Sequence, residues 1–115
     1  MGLLTYATIG SLDGYIADPR GDFSWAMPDE EVHRYSNGLL EGVDLHLYGR
    51  TTYELMVPWE TDPTLGQGSP VSAEFAALWK DADKVVYSST LGEVATRRTR
   101  LERHFNPEAV RALKA

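Results

Sequence analysis

Residues 3–9 alternate in the period of a β-strand, with Leu4, Tyr6 and Thr8 on one face and Leu3, Thr5, Ala7 and Ile9 on the other. Gly10 and Gly14 interrupt that pattern, and Pro19, Gly21 and Asp22 extend the loop. The spacing of Val32, Tyr35, Leu39 and Leu40 predicts a helix over 29–41, and Asp29, Glu30 and Glu31 place negative charge in its first turn. Residues 44–49 read as a second, nearly continuous apolar strand, with Leu45 and Leu47 on one face and His46 and Tyr48 on the other. A short helix follows directly, because Thr51-Thr52-Tyr53-Glu54 has the form of a capping box with Thr51 at the N-cap; Val57-Pro58 should end it. After a loop over 58–68 that contains Trp59, Ser69 and Pro70 open a helix whose apolar stripe is Val71, Phe75, Leu78 and Trp79. Residues 84–88 form a third strand candidate, 100–105 a weaker fourth, and Asn106-Pro107 caps a last helix over 108–114.

Strands alternating with helices predict an α/β protein, a three-layer sandwich around a largely parallel, twisted sheet with right-handed crossovers. The 115 residues allow one domain, spanning 1–115. The last helix ought to lead into another strand, so the sheet is expected to be incomplete at the C-terminus. An unfinished sheet exposes apolar surface and a strand edge, which predicts a truncated chain or a homodimer. Charge narrows the partners: 11 Lys+Arg against 17 Asp+Glu give −6, which argues against nucleic acid. There is no apolar run of the roughly 20 residues a membrane helix needs, and no basic N-terminus followed by an apolar stretch. With no cysteine there is no disulfide framework or thiol nucleophile, and a cytoplasmic location is expected.

Three stretches carry candidate chemistry. In Leu47-Tyr48-Gly49-Arg50-Thr51-Thr52-Tyr53-Glu54 a buried strand gives way through glycine and arginine to a helix start. Free backbone N–H groups, the helix dipole and a guanidinium would together make an anion site, with Gly49 admitting a ligand close to the backbone. The plainer reading is a strand–helix turn with a surface arginine. Ser88-Ser89-Thr90 follows the third strand and so belongs at the same sheet edge, where its hydroxyls could bond a sugar or phosphate or simply form a polar turn. Ser11-Leu12-Asp13-Gly14-Tyr15-Ile16 follows the first strand; Asp13-Gly14 is a turn signal, and its carboxylate could also orient a substrate. His33, His46 and His104 form no ligand pattern, so no metal site is predicted. His46 is expected to be packed or hydrogen-bonded. Arg97, Arg98, Arg100 and Arg103 read as a solvated basic face or as an accessory phosphate contact. Trp25 and Trp59 are expected to wall a planar substrate or to plug the core.

Taken together, these pieces resemble the dihydrofolate reductase-like superfamily, and within it the small bacterial group related to the C-terminal reductase domain of the riboflavin-pathway enzyme RibD. The resemblance rests on Leu4-Thr5-Tyr6-Ala7 with Ser11-Leu12-Asp13-Gly14-Tyr15-Ile16-Ala17, on the Leu47–Glu54 block, and on Val85-Val86-Tyr87-Ser88-Ser89-Thr90, and it covers essentially the whole chain. It implies an NADPH-dependent reductase that passes hydride to a small heterocyclic or carbonyl/imine substrate, riboflavin- or pterin-like. By the same resemblance Gly49, Arg50, Thr51 and Thr52 hold the cofactor phosphates. Ser88, Ser89 and Thr90 lie near the adenosine 2′-phosphate, and Ala7 and Ile16 line the nicotinamide. Asp13, with Glu30 or His33 of the first helix, would orient or protonate the substrate; an imidazole is the usual proton carrier near neutral pH. His33 beside two glutamates equally fits a solvated surface residue. Members of the group continue into further strands and a Gly-Gly turn that cradles the pyrophosphate, which this sequence lacks. A degenerate, non-catalytic member that binds nucleotide or associates with itself is therefore the alternative.

Overall fold

A computed structural model describes residues 2–114, and they fall into two compact units. The first comprises the described part of Met1–Asp29 and Asn106–Ala115; the second is Glu30–Phe105.

The first unit is built from side-chain-capped turns. Asp18 Oδ1 accepts from the backbone N–H groups of Arg20 (2.8 Å) and Asp22 (2.9 Å), and Gly21 adopts the positive φ of 81° that this tight reversal needs. Asp22 accepts from the Ser24 N–H and hydroxyl, which lowers its pKa below the ordinary carboxylate value. The strand predicted over 3–9 is absent: these residues are irregular and exposed. Alternation sets which side chains share a face, but a strand also needs a pairing partner for its backbone. At the other end of this unit Asn106 accepts from the Glu108 N–H at 3.0 Å, and Pro107 opens a helix over Pro107–Leu113 as its capping residues predict.

The second unit is α/β. Its elements are α1 (Glu30–Leu40), β1 (Leu45–Gly49), α2 (Arg50–Met56), α3 (Pro58–Thr61), α4 (Pro70–Asp81), β2 (Asp83–Tyr87) and β3 (Thr99–Glu102); Pro107–Leu113 of the first unit is α5. The strands form one three-stranded sheet in the order β1-β2-β3, parallel throughout, with Tyr48 opposite Val86 and Val86 opposite Leu101. Crossing from β1 to β2 uses helices, as parallel pairing normally requires. The return from β2 to β3 contains none.

Local chemistry accounts for most of these boundaries. Ser69 accepts from the Ser72 N–H at 3.1 Å, with Pro70 at the first helical position, so α4 starts where predicted. The capping box at Thr51 is not formed. Extended Gly49 is the N-cap of α2, Thr51 lies inside the helix, and Glu54 pairs with Arg50 one turn back at 2.8 Å. Pro58 does not begin a loop; it opens the four-residue α3.

His46, Tyr48, Lys84, Val86 and Leu101 share the sheet face that α4 covers. Trp79 is fully buried there with Tyr53 and Val86, and Met56, Phe75, Leu91 and Val94 pack around them. The polar groups on this face are bonded. Lys84 is buried, and its Nζ donates to the carbonyls of Trp79 (2.8 Å) and Ala82 (2.9 Å) while lying 4.2 Å from the centre of the Trp79 ring. Burial, seconded by Arg98, holds its pKa below the ordinary lysine value against the pull of Glu60, Asp83 and Asp81. Trp79 Nε1 donates to the Tyr48 hydroxyl at 3.0 Å, and the same hydroxyl is hydrogen-bonded to His46 Nδ1 at 2.8 Å. Burial and then the charge of Lys84 hold the His46 pKa below the ordinary histidine value. The Tyr48 pKa is raised by burial.

A second buried chain ties α2 to the β2–β3 connection. Thr99 Oγ1 donates to the Arg97 carbonyl at 2.8 Å, so Thr96 donates to Thr99 at 2.7 Å, and Tyr53 in turn donates to Thr96 at 2.7 Å. The Tyr53 hydroxyl also accepts from the Ala95 N–H at 3.0 Å.

Tyr53→Phe is predicted to cost about 2 kcal/mol in urea unfolding, since it strands a buried N–H and a hydroxyl. A loss below about 0.5 kcal/mol would contradict this chain. The lowered His46 pKa also predicts a pH slope. Between that value and the ordinary 6.5 the unfolded chain binds a proton that the folded chain refuses, so stability is lost as pH falls through this range. The slope is at most about 1.4 kcal/mol per pH unit and should flatten in His46→Asn, which urea unfolding at pH 7.5 and 5.5 will show.

Candidate functional site

Parallel pairing puts the residues after β1 and after β2 at the same, carboxyl, end of the sheet, where open α/β sheets hold their ligands. Gly49 leaves β1 in an extended conformation, and a side chain there would meet open space rather than neighbouring atoms. Arg50 comes next. Its Nε donates to Glu54 Oε1, and its Nη1 donates to Thr90 Oγ1 at 3.0 Å, across from the turn that follows β2. The Arg50 side chain is 43% exposed, so the guanidinium remains open to a further acceptor.

The 88–91 turn is ordered by its own hydroxyl. Ser88 Oγ accepts from the N–H groups of Thr90 (3.3 Å) and Leu91 (3.0 Å), and lies 3.5 Å from Thr90 Oγ1. Arg103 closes the turn from β3: its Nη1 donates to the carbonyls of Leu91 (2.5 Å) and Ser88 (3.3 Å). In sequence Arg103 belongs to a basic run; its clamp follows from the parallel register, which sets Tyr87 opposite Glu102 and so brings the next residue beside Ser88. Strand pairing, unlike the arginine spacing, is the signal that would have found it.

Gly49, Arg50, Ser88 and Thr90 are thus brought together, and exposed Thr51, Thr52 and Ser89 flank them in sequence. A guanidinium, two hydroxyls and open space at a glycine make a donor set suited to a phosphate ester. Glu54 is the opposing element, since its carboxylate already occupies one side of Arg50.

The predicted catalytic residues do not join this set. Glu30 pairs with Arg34 on exposed α1 at 3.0 Å. His33 is not solvated: it is half-buried, with its ring 5.5 Å from that of Phe75 and 6.2 Å from that of Trp59. Among the described residues neither Glu30 nor His33 makes a hydrogen bond or ring contact with Arg50 or the 88–90 turn. Ala7, Asp13 and Ile16 belong to the first unit. There Asp13 accepts from Ser11 Oγ at 2.5 Å and Gly14 takes a φ of 96°, a turn as its sequence signals. Trp59 packs edge-on to Phe75 at 4.6 Å and fills the core, and Trp25 bonds locally to the Asp22 carbonyl at 3.2 Å. His46 is packed and bonded as expected. Of the other arginines, Arg98 pairs with Asp83 and Arg100 with Glu102.

Among the described residues no three His, Asp or Glu side chains gather as metal ligands would, and no helix is long and apolar enough to cross a membrane. Comparison with family models, curated proteins and solved structures finds no match to the chain.

Arg103→Ala is predicted to release the 88–91 turn, raising amide exchange at Thr90 and Leu91 about 10-fold and lowering stability by about 1–2 kcal/mol. Unchanged exchange at these two amides would show that Ser88 alone orders the turn.

Proposed function

We propose that the edge formed by Gly49, Arg50, Ser88 and Thr90 holds the phosphates of NADPH, and that the chain is a cytoplasmic reductase of the dihydrofolate reductase-like, RibD C-terminal type, with the three-layer sandwich of that group. The observation that carries this reading is the 3.0 Å bond from Arg50 to Thr90. It joins the helix start after β1 to the hydroxyl turn after β2, two of the three stretches on which the family resemblance rests. Their donor set suits a phosphate ester, and a 2′-phosphate is what separates NADPH from NADH.

When bound, NADPH would supply the hydride for a riboflavin- or pterin-like heterocycle or a carbonyl/imine. The work of this chain is electrostatic. Arg50 would turn its remaining guanidinium N–H groups to a phosphate, Ser88 and Thr90 would donate hydroxyl protons, and Arg103 would keep the turn from opening. Asp13, Glu30 and His33 remain the candidates for orienting or protonating the substrate. A second reading is favoured by the pairing of Glu30 with Arg34 and the aromatic packing of His33: nucleotide binding without turnover.

Titration with NADPH and NADH, followed by nicotinamide fluorescence, tests both. Saturable binding that prefers NADPH is expected. Arg50→Ala should weaken it about 10- to 100-fold, and Glu54→Gln, which frees Arg50, should tighten it. No saturation by either nucleotide at millimolar concentration overturns the proposal. Binding without NADPH oxidation across a panel of pterin, flavin-precursor and carbonyl substrates selects the second reading.

A further inference from the structure

The second unit carries a groove at the end of its sheet opposite Arg50. Helix α4 contributes Ala73, Ala77, Lys80 and Asp81 to it, and the β2–β3 connection contributes Arg97 and Arg98. Ala73 and Ala77 lie on one face of the helix, and their small side chains leave room beside it. The volume is about 620 Å³, within the size range of small-molecule sites. Asp81 precedes β2 and Arg98 precedes β3, so in this parallel pair the groove lies at the amino end of the sheet. A strand's length separates it from the edge that holds Arg50 and Thr90.

The arginine side of the groove is held in place. The Arg97 N–H donates to Glu60 Oε2 at 3.1 Å, and its carbonyl accepts from the Thr99 hydroxyl at 2.8 Å. The Arg98 carbonyl accepts from the Lys84 N–H at 2.8 Å. Arg98 has a φ of 55°, in the left-handed region that a Cβ disfavours and glycine tolerates. In extended backbone, neighbouring side chains point to opposite sides. The left-handed residue breaks that alternation, and both arginines line the groove. Strain of this kind gathers at ligand sites.

Charge and hydrogen-bonding capacity define what fits. Arg98 is paired with Asp83 at 3.0 Å. Among the described residues, Lys80 Nζ and the Arg97 guanidinium make no hydrogen bond or ion pair, in a protein whose net charge is −6. Two such cations match the two charges of a phosphate monoester. The Asp81 carboxylate can only accept, so the remainder of the ligand must donate, as sugar hydroxyls do. We infer that this groove binds a small sugar phosphate, with Lys80 and Arg97 on the phosphate and Asp81 on the sugar hydroxyls. The held connection presents its guanidinium groups already placed, which lowers the cost of ordering them on binding.

Titration of the isotope-labelled full chain with ribose 5-phosphate, inorganic phosphate and ribose, followed by amide chemical shifts, tests this. Ribose 5-phosphate is expected to move the amides of Asp81, Arg97 and Arg98 saturably and at lower concentration than inorganic phosphate, while ribose moves none. Arg97→Ala should weaken binding about 10-fold. Asp81→Ala should erase the preference for ribose 5-phosphate over inorganic phosphate. Arg98→Gly relaxes the left-handed residue, so stability in urea should hold or rise while affinity falls. Shifts confined to Arg50 and the 88–90 turn, no saturation at millimolar concentration, or Arg97→Ala and Arg98→Gly chains that bind as tightly as before would each overturn the proposal.

Discussion

The second unit depends on an ammonium group turned inward where α4 gives way to β2. Lys84 sits on a strand face that must be covered, three residues past the end of α4 at Asp81, where the last helical carbonyls have no partner of their own. Its Nζ meets both demands by binding the carbonyls of Trp79 and Ala82, and the Trp79 ring lies over the charge. Trp79 thereby serves as the hub of the core. Its face takes the cation, its N–H holds the Tyr48 hydroxyl, and that hydroxyl is bonded to His46. A buried polar network is stabilising only when every member is satisfied, and each of these groups is.

The carboxyl edge inherits its order from that core. β1 and β2 leave the sheet in parallel, so Arg50 and the 88–90 turn face one another without a helix dedicated to the purpose. Ser88 supplies the inner hydrogen bonds of the turn and Arg103 the outer ones. Two arginines at the edge therefore do different work. Arg103 is committed to backbone carbonyls, whereas Arg50 retains donors toward solvent and a carboxylate neighbour that any anion must displace.

Much of this was legible in the sequence where the signal is local. Ser69-Pro70 and Asn106-Pro107 mark their helix starts because each side chain caps its own turn. Alternation in 44–49 correctly separates Leu45 and Leu47 from His46 and Tyr48. Legibility fails where the deciding partner is distant. The pattern over 3–9 is a sound strand pattern, but pairing decides whether a strand exists. Thr51 competes with Gly49 for the cap, and Glu54 has a guanidinium within reach, so the capping box gives way to an ion pair. His33 lies among charged residues in sequence and among aromatic rings in space, since its neighbours Trp59 and Phe75 come from other helices. For the site, adjacency of residues after β1 and β2 follows from parallel order alone, while the role of Arg103 needs the register.

Tyr53 lies one turn beyond Arg50 on α2, and its hydroxyl is anchored through Thr96 to Thr99, the first residue of β3. Arg103, just past the far end of that strand, grips the turn that Arg50 also touches. Helix, connecting loop, strand and turn thus close into a mechanical ring with β3 as its rigid bar. A push on the guanidinium from solvent cannot be absorbed by α2 alone; it is shared around the circuit, so the anion-facing rim behaves as one stiff body.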